Sequence, residues 1–164
     1  MNMTGAQYLA RVLDGYGVTH FFHVPAIISW TLVELEKTTA IKRIVTHDER
    51  AAAYMADGYA RASGRPGVCG CQMIGTSNLA AGLRDAYMAR APVIALSGGS
   101  YVTSRHRHQY QEIDGLPVFA PVTKFNAQVE DVTRLPTSCA RHSAPRPPAS
   151  PARCTWLWRA ISAR

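Results

Sequence analysis

Short apolar runs alternate with helix-patterned stretches from Val18 to Ser97, and this alternation restricts the fold more than any other feature of the chain. The runs are Val18 to Val24, Ile41 to Val45, Gly67 to Ile74 and Pro92 to Ser97. Between them Ile27 to Leu35 resumes helical spacing, and Glu49 to Ser63 and Asn78 to Arg90 read as helices. Another amphipathic helix precedes the first run. Thr4 can cap it, Leu9, Val12, Leu13 and Tyr16 fall at helical spacing, and Gly15 and Gly17 close it. Strands joined by whole helices pair in parallel, because a hairpin has no room for a helix, and their crossovers cover the sheet. The expected fold class is α/β, an open doubly wound parallel sheet with helices on both faces.

In such a sheet ligands gather outside the carboxyl ends of the strands. The residues with special chemistry fall there: Pro25 after the first strand, Glu49 after the second, Gly75 to Asn78 after the third, and Gly98-Gly99 after the fourth. Glu49 has two readings. Thr46-x-x-Glu49 is a capping box, and an acid in a first helical turn complements the helix dipole. Alternatively the carboxylate is a reagent at the sheet rim. Gly75-Thr-Ser-Asn78 divides the same way, since Ser77 or Asn78 can cap a helix and Gly75 permits the turn.

The stretch His47-Asp-Glu-Arg-Ala-Ala-Ala-Tyr-Met-Ala-Asp-Gly-Tyr-Ala-Arg61, then Ala-Ser-Gly-Arg-Pro-Gly-Val68, Met73-Ile-Gly-Thr-Ser-Asn78 and Pro92-Val-Ile-Ala-Leu-Ser-Gly-Gly99, decides between these readings. It resembles the N-terminal pyrimidine-binding (PYR) domain of thiamine diphosphate enzymes, most closely the acetolactate synthase-like group, whose pattern is H-E-x-x-A-x-x-M-A-x-G-Y-A-R-x-x-G-x-P-G-V, then G-P-G-x-T-N. The resemblance implies that Glu49 hydrogen-bonds N1′ of the cofactor aminopyrimidine and favours the imino tautomer, whose nitrogen removes the thiazolium C2 proton. It also implies cofactor contacts at Pro25, Ala26, Gly75 and Asn78. Tyr110-Gln-Glu112 and Pro121-Val-Thr-Lys124 are similar to F-Q-E and P-x-T-K words of acetolactate synthases, which makes Gln111 a second catalytic candidate. The chain departs from the family at two loops, with His23-Val-Pro-Ala26 for G-x-P-G and Met73-Ile-Gly75 for G-P-G. Ala26 and Ile74 add side chains where backbone approach is otherwise easy.

The family's second domain holds the diphosphate through Mg2+ on a Gly-Asp-Gly segment and a later Asn. No such segment occurs here: Asp57-Gly58 and Asp114-Gly115 lack the preceding Gly. No metal site is therefore expected within the chain, and Mg2+ would come only with that other domain. The resemblance implies an active site shared with the diphosphate-binding domain of another subunit, a homodimer or tetramer at full length and a 2-oxo acid substrate; FAD would accompany the cofactor only if the enzyme is a true acetolactate synthase. The expected function is thiamine diphosphate binding by an N-terminal catalytic-domain fragment that is inert alone. A stand-alone PYR-type module paired with a separate diphosphate-binding chain is the alternative.

Charge and composition separate the body from the tail. The net charge is +7 over 164 residues, but Thr137 onward carries five arginines and neither acids nor lysine, which leaves +2 for the rest. The excess belongs to the tail, so nucleic acid is not an expected partner. Apolar periodicity stops at Pro136. Shifted by one base, the codons from there onward can spell D-L-L-R-Q-A-L-R-A-A-T-T-G-V-P-G-P-V-H-L-A-V, an amphipathic helix and a G-P-V-H-L strand with which PYR domains finish. The domain boundaries expected are thus 1–136, a PYR domain truncated before its last helix and strand, and 137–164, a disordered out-of-frame tail. The four cysteines lack zinc spacing and disulfide-scaffold density, and Cys69 and Cys71 read as buried small hydrophobes. The loop Ser104-Arg-His-Arg-His-Gln109 reads as solvated rather than metal-binding. No transmembrane run or signal peptide is evident, and a cytoplasmic setting without membrane contact is expected.

Overall fold

The computed structural model describes residues 3–25, 29–99, 106–136 and, as backbone, 153–158. The elements follow in chain order as α1 (Gly5–Gly15), β1 (His20–His23), α2 (Ser29–Thr38), β2 (Lys42–Val45), α3 (Glu49–Ser63), β3 (Gly67–Cys71), α4 (Thr76–Met88), β4 (Pro92–Ser97), α5 (Leu116–Phe119), β5 (Asn126–Val129) and β6 (Arg153–Trp158). All strand pairs are parallel, in the order β2-β1-β3-β4-β6-β5.

Alternation along the strands builds two cores. Phe21, Val68, Ile94 and Leu96 face α1 and α2 and pack with Leu9, Leu13 and Leu35. Phe22, Cys69, Cys71, Val93 and Ala95 face the other way and pack with Ala52, Ala53, Ala56 and Ala60 of α3, Leu79 and Leu83 of α4, and Phe119 of α5. The sheet is therefore covered on both faces, as its order requires. The crossover from β1 to β2 runs one way along the sheet and those from β2 to β3 and β3 to β4 run the other, and crossovers of one hand then place their helices on opposite faces.

Two helix starts differ from expectation. Thr4 caps α1 in a capping box with Gln7, as its pattern predicts. Thr46 does not cap α3: its hydroxyl donates to Asp48 O at 3.0 Å, and Asp48 is the cap, accepting from Arg50 N at 2.7 Å. An Asp one residue before the helix reaches the amide of its second residue more directly than a Thr three residues before it. Helix α4 starts at Thr76 rather than Asn78; α2 is described from Ser29, and its expected start at Ile27 lies outside the described residues.

The largest difference concerns the tail, expected to be disordered and to leave the sheet without its last strand. Arg153–Trp158 instead forms β6 between β4 and β5. Thr155, Trp156, Leu157 and Trp158 are strand-prone side chains, and the run is long enough to fill a parallel slot. Residues 137–152 and 159–164 lie outside the described residues.

Candidate functional site

Strand order fixes where a crevice can form. β1 and β3 are neighbours, yet the chain leaves β1 toward α2 on one face and β3 toward α4 on the other, so their carboxyl ends diverge. Val24 N donates to Gly70 O at 3.2 Å and ties the two strands where the connections part. Pro25 is exposed beyond that bond, and Ala26 lies outside the described residues. The turn after β3 runs from Gln72 through Gly75 into α4.

Glu49, half-buried in the first turn of α3, meets that turn. Asn78 Nδ2 donates to Glu49 Oε2 at 3.1 Å. A Cβ built on Gly75 would lie 2.4 Å from Glu49 Oε1 and 2.7 Å from Cδ, so only a glycine lets the carboxylate occupy this place. Among the described residues no donor is bonded to Oε1. The carboxylate is thus held on one oxygen, and no described residue donates to the other. The neighbouring acid is neutralised differently: Asp48 forms a two-bond pair with Arg50, which, together with the Arg50 amide, pulls its carboxyl down to about 2. Glu49 is left as the carboxylate facing Gly75.

Beneath the turn a buried polar cluster fixes it. Thr76 Oγ1 donates to Met73 O at 2.5 Å and meets Ser97 Oγ at 2.8 Å, and both side chains are fully buried. Burial pushes the Cys71 thiol up to about 12, against the hydrogen bonds from Ser97 and Thr76 and with the Glu49 charge adding to the rise. A thiol with that pKa stays protonated, so Cys71 packs and does not react. Cys69, fully buried, is likewise raised well above its usual value, chiefly by desolvation and then by the charge of Cys71.

Gln111 reaches the rim from a distant loop. Gln72 Nε2, just after β3, donates to Gln111 Oε1. The structure therefore brings Glu49, Gly75 and Asn78 together and attaches Gln111 through Gln72. Asp48 and Gln72 were missed by sequence reasoning. Asp48 carried a signal, an Asx directly before a helical run, whereas nothing in the local pattern marks Gln72. His23, buried at the end of β1, stacks on Phe21, and burial, aided by the charge of Arg43, holds its pKa below the usual 6.5. Among the described residues no three His, Cys, Asp or Glu side chains are grouped as a metal-ligand set.

The donor set fits an aminopyrimidine: a half-buried carboxylate with one oxygen available, an amide beside it, and a side-chain-free wall at Gly75. Known proteins resemble the chain over most of its length. The family model described as thiamine pyrophosphate enzyme, N-terminal TPP binding domain, matches residues 3–118. The "Probable acetolactate synthase large subunit" of Methanocaldococcus jannaschii is 36% identical over 135 residues, which are 82% of this chain and 23% of the relative. The acetolactate synthase of Bacillus subtilis is 34% identical over 133 residues, 80% of this chain and 23% of the relative. The "Probable 2-ketoarginine decarboxylase AruI" of Pseudomonas aeruginosa is 33% identical over 145 residues, 85% and 26% of the two chains. The chain spans about a quarter of the length of these curated relatives. A synthase and a decarboxylase stand at nearly equal identity, so similarity alone assigns no substrate. The residues matched and the rim geometry lead to one statement of kinship: the chain belongs to the thiamine pyrophosphate enzyme N-terminal TPP binding domain family, in the company of acetolactate synthase-like enzymes.

Proposed function

We propose that the chain is the aminopyrimidine-binding half of a thiamine diphosphate site in an acetolactate synthase-like enzyme that decarboxylates and condenses 2-oxo acids. The observation that carries this reading is the Glu49 carboxylate, bonded on Oε2 by Asn78, backed by Gly75 and available on Oε1. Bound thiamine diphosphate supplies the electron-sink chemistry of decarboxylation. Glu49 holds and exchanges a proton at Oε1 toward the ring nitrogen, Asn78 keeps the carboxylate from rotating away, and a cofactor contact is assigned to Pro25 and, from the resemblance alone, to Ala26. Gln111 lies toward the substrate side.

A second subunit completes the site in this reading. Large apolar side chains remain exposed on the two helices that carry the rim: Tyr54 at 48% and Met55 at 46% on α3, Tyr87 at 40% and Met88 at 73% on α4. Exposed apolar side chains on these helices suit a domain–domain contact, here with the diphosphate-binding domain of another subunit, which brings Mg2+ and, in a synthase, FAD. Residues 1–136 are then the PYR unit and 137–164 an out-of-frame continuation, and a cytoplasmic setting goes with the reading.

The test is ThDP-dependent consumption of pyruvate by the frame-restored longer product. Glu49→Gln is expected to slow turnover by about 100-fold or more, the range lost with a general acid–base group. Full activity in that variant refutes the proton role. An intact, separately encoded diphosphate-binding partner that restores activity to the present chain favours the stand-alone module instead.

A further inference from the structure

We propose that Glu112 is a positioning residue for this rim: its carboxylate clamps the turn 106–112 in a strained conformation and so holds the Gln111 amide against Gln72 at the end of β3. The functional consequence rests on the reading of the rim given above, while the clamp itself stands on geometry. His106, His108 and Gln111 all adopt positive φ, at 66°, 50° and 64°, and none is a glycine. L-residues enter this region reluctantly, and a cluster of them in so short a segment needs something to impose it. Burial does not, since residues 106–110 are exposed and Tyr110 is 85% exposed.

The imposing group is a single side chain. Glu112 Oε1 accepts from His106 N at 2.6 Å and Oε2 accepts from Gln109 N at 3.1 Å. Glu112 N donates to Gln109 O at 2.9 Å and closes the turn from the backbone side. Both carboxylate oxygens are therefore spent on amides of the strained turn, and charge-assisted bonds of this kind are the stronger sort. The charged groups that face the carboxylate are His106 and His108, and the His106 amide foremost holds its carboxyl below the usual 4.5. Gln111, next in sequence to the clamp, accepts from Gln72 Nε2. Gln72 opens the turn that leads to Gly75 and the Glu49 carboxylate. Release of the clamp lets the turn relax to negative φ and withdraws Gln111 from the rim.

Nuclear magnetic resonance of the full chain reads this without any cofactor. In the unsubstituted chain, acidification should shift the His106 and Gln109 amides and the Gln72 side-chain amide together, with one midpoint below 4.5. In Glu112→Ala and Glu112→Gln the Gln72 peaks should move to the position of a solvated glutamine while the rest of the spectrum stays dispersed. A merely structural acid would not carry its titration to Gln72. Unmoved Gln72 peaks in the variants, or a Gln72 titration that does not follow the two backbone amides, overturns the proposal. Should Glu112→Ala not fold, Glu112→Gln and the titration decide. Failure here alongside loss of turnover in Glu49→Gln removes the clamp alone; the reverse pair of results keeps the clamp and removes the cofactor reading.

Discussion

Gly75→Ala separates the two duties that a rim residue can have. Its new Cβ would meet the far end of the Glu49 side chain, 2.4 Å from Oε1, and not backbone. A carboxylate can swing away from such a collision, so the fold should absorb it while the site cannot. The expected result is a melting temperature close to that of the parent and loss of thiamine diphosphate-dependent activity in the frame-restored enzyme, read by calorimetry and turnover on one preparation. His23 gives a second residue-scale test. Its folded pKa lies below the unfolded value of 6.5, chiefly through burial and then through Arg43, so the unfolded chain binds the extra proton first. Stability is complete above 6.5 and declines as pH falls through that value toward the folded pKa. Melting between neutral pH and mild acid should show this decline, and His23→Leu should flatten it. At this scale the sequence carries whatever is local. Glu49 is legible because its motif and its helix start coincide, while the meeting of Gln72 with Gln111, 39 positions apart, is written in no local pattern.

Between elements the decisive quantity is how closely α3 can approach the sheet. A Cβ on Gly67, at the start of β3, would lie 2.0 Å from Ala56 O and 2.7 Å from Ala56 C, backbone against backbone. No side chain can rotate to relieve that contact. Gly67→Ala must lift α3 off β3 and should cost about 1–3 kcal/mol or more, the range for overpacking a core. Gly58, within α3 itself, has nothing within 4 Å of its virtual Cβ and no positive φ. Gly58→Ala should stabilise by roughly 0.5–1 kcal/mol through helix propensity. Urea unfolding of the two variants checks both signs at once, and equal effects would contradict the packing described. Helix α3 was legible from end to end because its alanines follow the helical period and Gly64 stops it at φ 68°. Its cap was not, because Thr46 and Asp48 both suit the sequence rule and only backbone direction chooses between them. β5 escaped notice for another reason: Asn126-Ala-Gln-Val129 has one buried side chain, Val129, and no alternating apolar signal.

At the level of the whole molecule, the sheet depends on a segment that the pattern of the body does not foretell. Among the described residues β5 pairs only with β6, and β6 also covers the edge of β4. A chain stopped after Pro136 should lose amide protection in Asn126–Val129 and present β4 as an open edge, with aggregation as the result. Backbone pairing does not specify the side chains of the inserted strand, and codons for Arg153–Trp158 read in the shifted frame can spell Pro-Val-His-Leu-Ala-Val. The parallel join of β5 to β6 also needs a crossover, ordinarily a helix. In the present frame that connection contains Pro145, Pro147, Pro148 and Pro151, each of which removes a helical hydrogen bond. In the shifted frame it can open with Leu-Leu-Arg-Gln-Ala-Leu-Arg, a pattern able to lay an apolar stripe over the sheet. The restored frame should therefore melt higher than the present chain and keep β5 protected, as calorimetry and hydrogen exchange on the three chains would show. A restored chain that melts lower, together with an uninterrupted frame on resequencing the gene across the Pro136 codon, makes the basic tail a genuine part of this fold, with β6 as its contribution to the sheet.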